Sequence, residues 1–202
     1  ELSYLRGVVP PAPRFLEWIR PLMAARRNYP DPHDPRIVDA ARRAIAEVRA
    51  TGTGLVGDVA NTPVTIPLLQ QEALPAHVFF ELLGFNAANP EERVAAAREH
   101  CTSGRVSVAP HAPYSVAPAL FSAIRADMDA HDTISTVHLG ESSEEVEFIR
   151  RGTGGWRTLL EELGVWNPDW KAPGVSPVEY LEDLGFLDAR VLAVHEIGRA
   201  HV

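Results

Sequence analysis

Three histidines, each closing a short apolar run, are the residues best placed to do chemistry in this sequence. They stand in VSVAPHAPYSV (106–116), ISTVHLGESSEEV (134–146) and VLAVHE (191–196). Neutral imidazole is a good zinc ligand, and it exchanges protons near neutral pH. Three residues after His138 comes Glu141, followed by the helix-starting run Ser142-Ser143-Glu144-Glu145. A carboxylate near imidazoles suits proton transfer to and from water activated by a cation. On spacing alone, Glu141 serves equally well as a charge at a helix N-terminus, where the dipole favours a carboxylate. Glu144, Glu145 and Glu147 are assigned to that second role. A lone strand-end histidine is more often a structural hydrogen-bonding residue. His33, His77, His100 and His131 show nothing beyond that. Asp58 in GLVGDVAN and Glu81 in FFELLGF fall near strand ends; site carboxylates or hydrogen-bond partners behind a site are the alternatives to structural roles, which are favoured.

The histidines differ from that background in how their strands present them. Side chains alternate across a strand with period two. Ile134, Thr136 and His138 therefore share a face, as do Val191, Ala193 and His195, and Ser107, Ala109 and His111. In each case the histidine falls on the side with the smaller or more polar residues. Each also lies at the C-terminal end of its strand, where parallel α/β barrels build their sites. The spacing predicts that the three rings gather at one mouth.

The elements that must position them alternate along the chain. Strands are predicted over 55–60, 77–83, 105–109, 134–139 and 190–195. Helices are predicted over 37–50, 66–72 and 116–130, with further starts after Asn89 and Ser142. Asp34-Pro35 reads as an N-cap with proline at the first helical position. Ser142 to Glu145 and Ser176 to Glu179 have capping-box spacing. Residues 152–175, rich in Gly, Trp and Pro, read as an insertion that could act as a lid. Five strands alternating with helices predict a parallel α/β fold in one domain.

Composition narrows the function. The 202 residues are 46% hydrophobic and 23% charged, enough for one sizeable core. The formal net charge of -8, with no basic stripe, argues against nucleic acid as a partner. No apolar run reaches the roughly 20 residues of a membrane span. One cysteine, Cys101, excludes an internal disulfide and fits a reducing, cytoplasmic setting.

Taken together, GDVANT, FFELLGF, APHAPYSV, VHLGESSEEVEFI, SPVEYLEDLGFLD and LAVHE, in that order along the chain, resemble the amidohydrolase superfamily. The resemblance is to its deaminase and chlorohydrolase branch, which includes adenosine and aminofutalosine deaminases, and it runs to about Glu196. It implies a TIM (β/α)8 barrel of the metal-dependent hydrolase type, of which residues 1–196 carry about strands 2–6. In that family the metal is held by an H-x-H pair from strand 1, a histidine from strand 5 and an aspartate from strand 8. His138 matches the strand 5 ligand, and Glu141 matches the family's proton shuttle. His195 matches the strand 6 histidine that holds the attacking water or the product oxygen, and His111 a histidine that contacts substrate. The implied cofactor is one divalent ion, zinc.

No H-x-H occurs in this chain. Relatives read H-T-H-L before E-L-S, and the chain opens on Glu1-Leu2-Ser3, so the pair is expected just upstream, with strands 7 and 8 downstream. Residues 197–202 depart from the family pattern and are expected to be a non-native tail. The implied activity is hydrolytic deamination of a purine-like or other cyclic amidine small molecule. Chlorohydrolase or cyclic amidohydrolase chemistry, or a non-catalytic binding barrel, are the alternatives. The isolated chain is expected to be inactive, and the whole enzyme a possible homo-oligomer.

Overall fold

The computed structural model describes residues 2–195. The expected tail at 197–202 lies outside the described residues. Two compact units divide between Phe80 and Glu81.

In the first unit, α1 (Phe15–Arg27) and α2 (Pro35–Ala50) precede β1 (Val56–Ala60), α3 (Thr65–Gln71) and most of β2 (Ala76–Leu82). The cap of α2 is the expected one. The Asp34 carboxylate accepts from the Arg36 backbone N–H at 2.8 Å, and Pro35, which has no N–H to satisfy, opens the helix. That start puts the first turn at Pro35 rather than Ile37. Ile37, Ala40, Ala41 and Ile45 then fall on one buried stripe. The strands β1 and β2 are parallel, with Val56 opposite Ala76 and Ala60 opposite Phe80.

The second unit takes the end of β2 and continues with α4 (Pro90–Arg98), β3 (Val106–Pro110), α5 (Pro118–His131) and β4 (Ser135–Leu139). It closes with α6 (Ser143–Arg151), α7 (Gly155–Glu162), α8 (Pro177–Asp183) and β5 (Val191–His195). β4 and β5 are parallel, from Ser135 opposite Val191 to Leu139 opposite His195. β3 lies alongside β4: the Ser135 hydroxyl donates to the Val108 carbonyl at 3.0 Å. Leu120, Phe121, Ile124 and Met128 of α5, with Phe148 and Ile149 of α6, are fully buried and form the apolar layer over these strands. Every predicted strand is present within a residue of its expected bounds.

The two predicted capping boxes differ. At α8 the box is complete, with the Ser176 hydroxyl accepting from Glu179 N–H and the Glu179 carboxylate accepting from Ser176 N–H. At α6 the serine half forms, with the Ser142 hydroxyl accepting from Glu145 N–H. Glu145, expected to be a simple charge on the helix dipole, instead turns back toward the strand ends.

Residues 152–175, read as an insertion, contain a helix and pack onto the core. Trp156, Leu159 and Leu160 recur at helical spacing, fold as α7 and are buried. Trp166 stacks on Phe85 at 5.6 Å, and Trp170 lies parallel to Phe148 at 4.9 Å. Aromatic residues bury large areas and prefer such paired geometries, so the tryptophans anchor this segment to the core.

Candidate active site

Backbone hydrogen bonds bring the strand ends into line. His111 N–H donates to the Leu82 carbonyl at 3.0 Å, and the His111 carbonyl accepts from His138 N–H at 2.8 Å. The ends of β2, β3 and β4 therefore stand side by side, and the His111 and His138 rings are 5.2 Å apart. The Ser115 hydroxyl donates to the Ala112 carbonyl and lies 2.6 Å from His111 Nδ1. With its hydrogen so committed, that hydroxyl accepts from Nδ1–H, which places the ring's lone pair on Nε2.

Glu81, near the end of β2, points into the same space. Its Oε1 is 3.5 Å from His138 Nε2, and the residue is only 7% exposed. Glu81, His111 and His138 each offer one ligand atom, all within 4.8 Å of one another. On its other side, His138 Nδ1 is 3.1 Å from His195 Nε2, with the rings stacked at 5.1 Å. His195 Nε2 is 3.4 Å from Glu141 Oε1, and Glu141 Oε2 accepts from the Tyr114 hydroxyl at 2.5 Å. All four residues singled out as site candidates, His111, His138, Glu141 and His195, thus lie in one connected cluster.

The charge balance of this cluster favours a cation. Burial works against a charged His138, yet its pKa is raised above the ordinary histidine value. The hydrogen bond and charge of Glu81, with the charges of Glu141 and Glu145, outweigh the burial. A divalent ion answers the same field as that proton. Two imidazoles and a carboxylate are donor types that zinc accepts, so the residues fit the metal the resemblance implies.

His195 reaches the cluster for a different reason from the one its spacing suggested. The register sets it opposite Leu139, and Val194 opposite His138. Partners in a parallel pair face the same way, so strict alternation would turn His195 away from His138. At His195, however, φ is 80°. The chain leaves the extended region there, the alternation ends, and the ring stacks on His138. A positive φ at a β-strand end on a non-glycine residue is the kind of outlier that gathers at functional sites.

Glu145 secures the loop that carries Glu141. It is fully buried, and its carboxylate accepts from Gly140 N–H at 3.2 Å and Glu141 N–H at 2.8 Å. Gly140, with φ of 64°, makes the sharp turn that this wrap requires. Burial pushes the Glu145 carboxyl up to about 7, against the opposing pull of its backbone donors. An acid raised in the folded state holds its proton longer than in the unfolded chain. Its contribution to stability is therefore full below its unfolded pKa of about 4.5 and is lost as pH rises to about 7. Glu145→Gln should flatten this part of the stability profile. Melting temperatures taken from pH 5 to pH 7 would fall less steeply in the variant than in the parent, and parallel curves would contradict the assignment.

Sequence reasoning undervalued Glu81 and missed Tyr114 and the loop-holding role of Glu145. Glu81 carried a weak signal, its place near a strand end in FFELLGF. Tyr114 carried none beyond its nearness to His111, because its contact spans 27 residues of chain.

Imidazoles and carboxylates gathered at the C-terminal ends of parallel strands define an α/β protein with a candidate metal site. Residues 13–197 match the Amidohydrolase family, and the chain belongs to that family. It is 28% identical, over 202 aligned residues, to the aminodeoxyfutalosine deaminase of Deinococcus radiodurans, covering 91% of this chain and 46% of that protein. Its fold is similar to that of a zinc-bound adenosine deaminase from Xanthomonas campestris (TM-score 0.72, 23% identity, 96% of this chain and 42% of the other). It is also similar to the zinc complex of atrazine chlorohydrolase from Arthrobacter aurescens TC1 (TM-score 0.62, 16% identity, 94% and 45%). The chain spans less than half the length of each of these proteins. No described helix is long and apolar enough to cross a membrane. Cys101 is a free, half-buried thiol.

Proposed function

We propose that this chain is the strand 2–6 portion of the barrel of a zinc-dependent hydrolase that deaminates a purine-like ring in a small molecule, in the cytoplasm. The observation that carries the reading is the continuous contact chain from His138 through His195 to Glu141, with Glu81 and His111 on the other side of His138. The deaminase named among its relatives favours ammonia as the leaving group.

When bound, the ion supplies Lewis acidity that makes hydroxide available near neutral pH. His138 would hold it, and Glu81 lies against the same imidazole. Glu141 takes a proton from the attacking water and delivers it to the ring nitrogen, then to the departing amine. His195, in contact with Glu141 Oε1, orients that water and stabilises charge on the developing oxygen. His111, its Nδ1 held by Ser115, presents Nε2 to the substrate. The water is added across the ring carbon–nitrogen bond, and loss of ammonia leaves a carbonyl.

The test uses the full-length enzyme with zinc, offered adenosine, aminodeoxyfutalosine and a chlorotriazine, with ammonia and chloride measured separately. Ammonia release from the nucleosides is expected. Chloride release alone would replace the reading with a chlorohydrolase, and a zinc-loaded protein releasing neither would replace it with a binding barrel.

A further inference from the structure

A group that ferries protons must keep one oxygen on the water and the other still, and Glu141 has a partner suited to the second task. Tyr114 is 1% exposed, and its hydroxyl donates to Glu141 Oε2 at 2.5 Å. Oε1 is thereby left for His195, 3.4 Å away. Tyr114 is itself immobilised. Its ring lies on Trp156 with centroids 3.7 Å apart and planes 15° from parallel. Trp156 is 5% exposed and belongs to α7, inside the segment 152–175. The His111 ring meets the same phenol edge-on at 5.6 Å.

We propose that Tyr114, clamped by Trp156, is a positioning residue that fixes the carboxylate of Glu141 toward His195 and the attacking water. This rests on the proton-transfer role proposed for Glu141. Two independent anchors hold the glutamate. Its backbone N–H is tied to Glu145, and one carboxylate oxygen is tied to Tyr114. A carboxylate on a flexible side chain has two free torsions beyond Cβ, and the backbone tie constrains neither. The phenol constrains both, because it takes one oxygen in a single direction. It also keeps its proton: burial first, then the charge and hydrogen bond of Glu141, raise its pKa far above the ordinary phenol value. The hydroxyl therefore acts as a donor and takes no part in the proton transfer. The segment read from sequence as a possible lid acquires a function by this route. Through Tyr114, its helix supports the carboxylate of Glu141.

The test is Tyr114→Phe in the full-length, zinc-loaded enzyme. The variant keeps the ring and its stacking and removes only the donor. A catalytic group displaced by an ångström or less loses about 10-fold to 100-fold in rate. We expect kcat to fall by that factor, with KM within about twofold and zinc content unchanged. Trp156→Leu should reproduce the kcat loss in weaker form. Combined with Glu141→Gln, Tyr114→Phe should add nothing further, since a positioning residue acts only through the group it positions. Tyr180→Phe, which removes a second buried phenol, from α8, should leave kcat unchanged. A loss in KM alone, or an additive double variant, would overturn the proposal. A crystal structure of Tyr114→Phe tests the positioning without any measurement of activity: the Glu141 carboxylate is expected to leave His195. If it stays in place, the proposal fails whatever the enzyme's substrate. If it moves while the parent enzyme releases no ammonia, the positioning holds and the deaminase reading fails.

Discussion

Glu141→Gln in the full-length enzyme is expected to lower kcat by about 10³-fold while bound zinc and KM stay near the parent values. The amide has almost the volume of the carboxylate and can still accept from Tyr114 through its oxygen. What it cannot do is take a proton from water and hand it on. General acid–base groups contribute roughly 10²–10⁴-fold, and this residue is asked to serve two transfers in one turnover, which argues for the upper half of that span. Its neighbours make the variant informative. Glu141 is not part of the Glu81, His111 and His138 group that could hold a metal, so metal content reports on a different set of atoms. The side chain is also largely buried, at 12% exposed, so water would not readily replace its function. Steady-state kinetics beside a zinc assay checks both halves. A loss of under about tenfold would remove Glu141 from the proton path, and a parallel loss of zinc would mean it supports the metal instead.

The sequence carried the elements more plainly than the site. Strand positions were legible because β3 and β4 are short runs carrying Val and Thr or Ser, bounded by turn residues, and they are buried on both faces. Helix starts were legible where one side chain decides them, as at Asp34 and Ser176. Gathering at a strand's C-terminal end was legible for His111 and His138, because backbone ladders force neighbouring strand ends together. For His195 the right destination came from the wrong cause, since the register opposes it and a local positive φ supplies the turn. Glu145 illustrates what spacing hides. Ser-x-x-Glu predicts a carboxylate returning to its own cap, but the carboxylate reaches further back, to Gly140 and Glu141, because the loop wraps over it. The clamp of Trp156 on Tyr114 joins residues 42 positions apart in segments with no shared pattern, and only packing reveals it.

His138→Ala is expected to be more damaging than any other single change in the cluster, and in a different way: zinc content should fall well below one per chain, and kcat/KM by about 10³-fold or more. His138 is the hub of the contacts. Its Nε2 faces Glu81 at 3.5 Å, its Nδ1 faces His195 at 3.1 Å, and its ring packs on both neighbouring imidazoles. Truncation removes a metal donor and also takes from Glu81, 7% exposed, the imidazole 3.5 Å from its carboxylate. Glu81→Gln separates these effects, because it keeps both imidazoles and removes only the charge. If Glu81 orients or supports His138, that variant should bind zinc about 10-fold to 100-fold more weakly and recover activity when zinc is added in excess, whereas His138→Ala should not recover. Competition with a chromogenic chelator gives the affinities, and activity against added zinc gives the recovery. A His138→Ala protein that retains one tightly bound zinc per chain would place the metal elsewhere and remove the basis for the hydrolytic mechanism. Matching zinc affinities for Glu81→Gln and the parent would return Glu81 to a purely structural carboxylate.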